Sequence, residues 1–166
     1  MKSTTILLAG LSAVLFSFAP TVPLQGGELS PSMIQPMLAG LGYEPKAAGS
    51  GLWEITLSKD GLDVPVAIGL SSSGRKLWIT VFLGELDARA KANSDRLLKL
   101  LKRNYEIQPT HFFISSQESS PPGNPQDVLK IGMALDNRGI GSTVLRREIE
   151  KLVDDVVSSR KLWEKE

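Results

Sequence analysis

Three stretches in the first half of the chain alternate between large apolar residues and polar or small ones. Trp53, Ile55 and Leu57 alternate with Glu54, Thr56 and Ser58. Leu62, Val64, Val66, Ile68 and Leu70 alternate with Asp63, Pro65, Ala67 and Gly69. Leu77, Ile79, Val81 and Leu83 alternate with Trp78, Thr80 and Phe82. A period of two places each set on one face of a β-strand. Asp60-Gly61 and Ser71–Gly74 supply the turns between them. Pro65 removes one ladder donor, which predicts an edge strand or a bulge. The third strand is apolar on both faces, so it is central, or its second face meets a partner.

The period changes to that of a helix on either side. Ser30-Pro31 reads as a cap followed by a first turn, and Met33, Ile34, Met37, Leu38 and Leu41 form a stripe that Gly42 ends. Pro36 inside it should kink or shorten the helix. Residues 42–51 read as a loop. Glu85 to Arg103 is helical in composition, with Leu86, Ala90, Leu97, Leu98 and Leu101 on the apolar side. Ser94 is a candidate cap for a second helix should this segment break near Asn93. Thr110 to Ser116 reads as a fourth strand and Ser119 to Pro125 as an exposed loop. Leu129, Ile131, Met133 and Leu135 give the inward face of a fifth strand.

Asp136 to Gly141 then turns the chain into one long helix. Leu145, Ile149, Leu152, Val153, Val156 and Trp163 line one side of it, opposite Arg147, Lys151, Asp154, Ser158 and Lys161. Burying side chains of this size stabilises a fold by about 1.5–3 kcal/mol each before ordering entropy, enough to make the helix the lid of a core. The order is α-βββ-α-ββ-α. Short strand connections favour an antiparallel sheet packed by helices, in a single α+β domain.

This order resembles the type III secretion chaperone-like fold. The tail Leu129-Lys130-Ile131-Gly132-Met133-Ala134-Leu135, a polar turn, and Ser142 leading into Leu145, Ile149, Leu152, Val153 and Val156 resembles the end of the YbjN family. Leu97-Leu98-Lys99-Leu100-Leu101 before the fourth strand fits the same pattern. The resemblance covers about residues 30 to 163. It implies a small protein-binding or regulatory domain, often dimeric, with no known cofactor and no catalytic signature. The cytosolic members lack a leader such as this chain carries.

That leader has Lys2 as a short positive region, an apolar run from Ile6 to Ala19, and then Pro20, Pro23, Gly26 and Gly27 as breakers. This is the layout of a bacterial secretory signal, predicting export to the periplasm or beyond. The run is short for a membrane span. Cleavage after Ala19 is opposed by Pro20, and a cut near Gly26 is the second choice; an uncleaved anchor is the alternative. Residues 1–26 are thus read as a signal peptide and residues 27–166 as the domain. The chain has no Cys, so neither a lipid-modified Cys nor a disulfide is available. Of the 19 basic residues Lys2 lies in the leader, and the others are matched by the 18 acidic ones. Basic residues are dispersed apart from Lys99, Lys102 and Arg103, so a nucleic-acid face is not expected.

Candidate chemistry is sparse. Gly139-Ile140-Gly141 between a strand and a helix resembles an anion-binding loop, but Val144 stands where the dinucleotide fingerprint needs a third small residue. Arg146 and Arg147 oppose the helix dipole there; they serve an anion or are solvated. His111 is the single His, beside Phe112 and Phe113, and fits a sheet edge better than an acid–base role. With one His and no Cys, zinc by His/Cys clustering is excluded. Asp60 and Asp63 do not match a calcium loop. Glu148, Glu150, Asp154 and Asp155 read as a solvated face paired with Lys151 or Arg147. Trp53 and Trp163 read as core or rim residues.

Trp78 and Phe82, with Phe113, are the residues that point to function. If the helices cover the first face of the third strand, these three leave an aromatic patch on the second, suited to a protein partner or a second subunit. Another helix of the same chain is the alternative cover. The expectation is an exported, non-enzymatic protein-binding domain with no metal and no cofactor; the alternative is a periplasmic small-molecule or lipid binder using the same sheet.

Overall fold

The computed structural model describes residues 27–86, 93–117 and 126–164. Its elements, in order, are α1 (Pro31–Gly40), β1 (Lys46–Gly49), β2 (Leu52–Lys59), β3 (Leu62–Leu70), β4 (Lys76–Glu85), α2 (Ser94–Glu106), β5 (His111–Gln117), β6 (Gln126–Asp136), α3 (Ser142–Ser158) and α4 (Arg160–Trp163). The strands form a single antiparallel sheet in the order β1-β2-β3-β4-β6-β5. The α+β order expected from the pattern is present, with β1 and α4 added to it. The leader and the 119–125 loop lie outside the described residues.

The alternating residues do what their period requires. Ile55, Val64, Val66, Ile68, Leu77, Ile79, Val81, Ile131 and Met133 are buried on one face of the sheet. α1 and α3 cross that face and close the core with Ile34, Leu38, Leu145, Ile149, Leu152 and Val156. β4 is central, between β3 and β6. The β2–β3 hairpin turns on Asp60 and Gly61, both at positive φ (50° and 73°), the conformation that matches a two-residue turn to strand twist. β3 is internal rather than an edge strand. Its ladder with β4 begins only at Ala67–Thr80, so Pro65 lies where no β4 acceptor waits for its missing N–H.

Several boundaries differ from expectation. Residues 46–49, read as loop, pair with β2 as a fully exposed edge strand. Glu85 belongs to β4 rather than to a helix. α2 is capped by Asn93, whose side chain accepts from Arg96 N at 3.0 Å, and not by Ser94; the helical reading of 87–92 falls outside the described residues. α1 runs through Pro36 for its full ten residues. The long helix breaks at Ser159, so Trp163 sits in a separate short turn.

Polar ties lock the ends to the sheet. Asn137, 2% exposed, donates to Leu29 O (2.8 Å) and Gly74 O (2.7 Å) and accepts from Leu29 N (3.0 Å). Arg96 donates to the carbonyls of Leu162 (3.0 Å) and Trp163, and Arg103 donates to Ser158 and Ser159 (2.9 and 3.0 Å). Lys151 bonds Ile107 O (2.9 Å) and Asp155 (2.7 Å), joining α3 to the turn before β5.

Candidate functional site

With α1 and α3 on the inner face, the outer face of the sheet is where the unused apolar residues lie. Across the strands, register sets Leu52, Gly69, Trp78 and Ala134 in one row. Glu54, Ala67, Thr80, Gly132 and His111 form the next, and Phe82, Lys130 and Phe113 the one after. Trp78 is 37% exposed and Phe82 48%, large fractions for aromatic residues inside a sheet. Phe113 is half-buried, its ring centroid 6.2 Å from that of Trp78 and 5.5 Å from that of His111. The three residues singled out by sequence are therefore on one face, with Trp78 and Phe113 in ring contact.

Gly132 on β6 lies between them and Gly69 on β3 lies beside Trp78, and at both positions space is tight. A Cβ on Gly132 would lie 2.6 Å from Ile79 O, and one on Gly69 would lie 3.0 Å from Leu52 Cδ1. Glu54 and Lys130, both half-buried on this face, have no ion-pair partner among the described residues. The surface can bury apolar area and carries Glu54, with Lys46 across from it on β1, and Lys130 on β6.

A second apolar surface was not anticipated as exposed. Leu98 (53%), Leu101 (63%) and Tyr105 (83%) stand out from α2, while Leu97 and Leu100 turn inward. A groove of about 250 Å³ runs between α2 and β5, lined by Leu97, Leu101, Phe112, Ile114 and Leu129. The signal was present: at 100° per residue, Leu97, Leu98, Leu100 and Leu101 span about 160° of the helix, wider than one contact against a sheet covers.

The remaining candidates are absorbed by structure. Arg146 donates to Leu41 O (2.6 Å) at the end of α1, and Arg147 pairs with Glu148 (2.5 Å), so neither arginine serves the Gly139–Gly141 loop. Ile140 of that loop is buried. Glu148, read as solvated, is instead 8% exposed and paired with its chain neighbour. Asp154 pairs with Lys59 and Asp155 with Lys151. Burial, and then the charge of Glu150, push the Tyr43 hydroxyl above its ordinary pKa against the opposing pull of Arg146. His111 opens edge strand β5, its Nδ1 3.2 Å from Pro109 O. Trp163 donates Nε1–H to Val156 O (3.0 Å), and Trp53 packs half-buried against the core. Among the described residues no three His, Asp or Glu side chains gather as metal ligands would, and no helix is long and apolar enough to cross a membrane.

The chain matches no protein-family model, and no curated protein matches its sequence.

Proposed function

We propose that this chain is an exported, non-enzymatic protein-binding domain of the YbjN or secretion-chaperone-like type, and that its outer sheet face docks the partner. One observation carries the reading: Trp78, Phe82 and Phe113 share a face while the helices α1 and α3 occupy the other. Binding proceeds by burial of that aromatic surface together with Gly132 and the neighbouring Ala67 and Gly69 of β3, with no covalent chemistry. A cavity for a small ligand on the inner face is disfavoured, because α1 and α3 fill that face with Ile34, Leu38, Leu145 and Ile149.

The test compares the native protein with a Phe82→Ser/Phe113→Ser double variant as bait in periplasmic extract. Bound proteins should be retained by the native chain and lost by the variant, with both unfolding cooperatively. A folded double variant that keeps every bound protein would overturn the outer face as the docking surface. Export is tested separately, by fusing residues 1–26 to a reporter that is active only outside the cytoplasm; a reporter left inactive removes "exported" from the reading.

A further inference from the structure

α2 is tied to the rest of the protein along one flank. Leu97 and Leu100 pack toward the sheet, Arg96 bonds the carbonyls of Leu162 and Trp163, and Arg103 bonds Ser158 and Ser159. At 100° per residue, Leu101, Tyr105 and Leu98 fall within about 60° of one another, well to one side of that flank. All three are exposed. Leu101 also lines the groove shared with Ile114 of edge strand β5, so the ridge continues onto a fourth exposed apolar side chain. Ile114 alternates with Phe113 along β5 and therefore lies on the other side of the sheet from the aromatic patch.

Charge borders this ridge. Lys102 and Lys99 follow it round the helix, both exposed and both without a hydrogen bond or ion pair among the described residues. Of the two acids on α2, Glu106 is paired with Arg103 at 2.7 Å, and Asp95 stands in the first turn, where the helix dipole favours a negative charge. Four basic residues against two acidic ones leave α2 at +2, more than the +1 of the whole chain. An exposed leucine ridge ending in a tyrosine and flanked by free lysines is the composition of a helix that lies in a bilayer interface. Leucines enter the acyl boundary, a tyrosine sits at headgroup level, and lysine stems run along the apolar layer while their ammonium groups reach the phosphates. We infer that α2 docks the protein on an anionic phospholipid surface, with Leu98, Leu101 and Tyr105 immersed and Lys99 and Lys102 on the headgroups. At about 20 Å, α2 lies along such a surface and does not cross it. The ridge is convex, a shape that a fluid bilayer accommodates and that a protein partner matches only with a groove. This surface is separate from the outer sheet face, and the inference does not depend on what binds there.

The chain has no Cys, so Tyr105→Cys gives a single attachment point for an environment-sensitive dye on the ridge. Leu52→Cys, exposed on the sheet, gives the control position. Each labelled full-length chain is titrated with vesicles of phosphatidylglycerol and phosphatidylcholine in equal parts. The dye at position 105 should shift to the blue and be quenched by lipids brominated in their acyl chains; the dye at position 52 should do neither. Vesicles of phosphatidylcholine alone should bind at least about tenfold more weakly. Adding Lys99→Gln and Lys102→Gln to the Tyr105→Cys chain should raise the lipid concentration at half-shift about thirtyfold, about fivefold for each lysine. Cooperative thermal unfolding of each labelled variant shows that it is folded. A dye at position 105 that stays in water at every lipid concentration, a dye at position 52 that moves equally, or a shift that ignores both the lipid charge and the two lysines overturns the inference. A dye at position 105 that ignores vesicles but shifts in lipid-free periplasmic extract also overturns the membrane and gives the ridge to a protein.

Discussion

Gly132 is the most tightly enclosed of the described glycines. Since an added Cβ would meet Ile79 O at 2.6 Å and Thr80 Cγ2 at 2.8 Å, the strand pair can accept a side chain only by moving backbone. Gly132→Ala should lower stability by about 1–3 kcal/mol, read from urea unfolding. Asn137 acts at the same scale through polarity. Its amide satisfies Leu29 N, Leu29 O and Gly74 O in a buried site. Asn137→Ala strands a backbone donor and two acceptors and should cost about 2–4 kcal/mol by the same measurement. The two residues differ in legibility. Gly132 sits in a strand where glycine already hints at close packing. Asn137 reads as a turn residue, because its partners lie more than sixty and more than a hundred positions away.

Elements were legible wherever burial was one-sided. β2, β3 and β4 follow from alternation because each has an inner face in the core. β1 was invisible because Lys46–Gly49 is exposed along its whole length and has no apolar face to alternate. The break at Ser159 was hidden because the apolar stripe continues across it: Trp163 still reaches back to Val156 O. α2 was assigned correctly as a helix but with the wrong share buried, since the sheet accepts Leu97 and Leu100 and leaves Leu98 and Leu101 in solvent. Where β4 and β6 begin and end, Lys76 and Asp136 face each other at 2.5 Å. The Lys76 ammonium, hydrogen-bonded to Asp136, holds that carboxyl below the usual carboxylate range. A carboxyl whose pKa falls on folding stabilises the fold above its unfolded pKa, about 4, and loses that contribution as pH drops through the folded value. The pair is solvent-exposed, so its effect is small. The melting temperatures of the native chain and Asp136→Asn should therefore differ by a small constant amount well above the unfolded carboxyl pKa of about 4 and converge as the pH falls below it.

At the scale of the whole molecule, one sheet and one core predict one transition. The core cluster runs from Leu29 through β6 to Val156 without a division, so far-ultraviolet and near-ultraviolet dichroism should lose their signals at the same temperature. Separate midpoints would show that the α2–β5 corner unfolds on its own. The location of the candidate site was legible from the excess of aromatic residues on the second face of β4. That α1 and α3 both pack on the opposite face was not, because alternation tells which residues share a face and not what covers it. The placement of the tryptophans has an optical consequence. Trp53 packs against the core and Trp163 is hydrogen-bonded beside α3, whereas Trp78 stands on the outer face. A chain with Trp53 and Trp163 replaced by Phe would emit from Trp78 alone. Its fluorescence would shift to the blue and escape aqueous quenchers as that face is covered, so the molecule carries its own dye for occupancy.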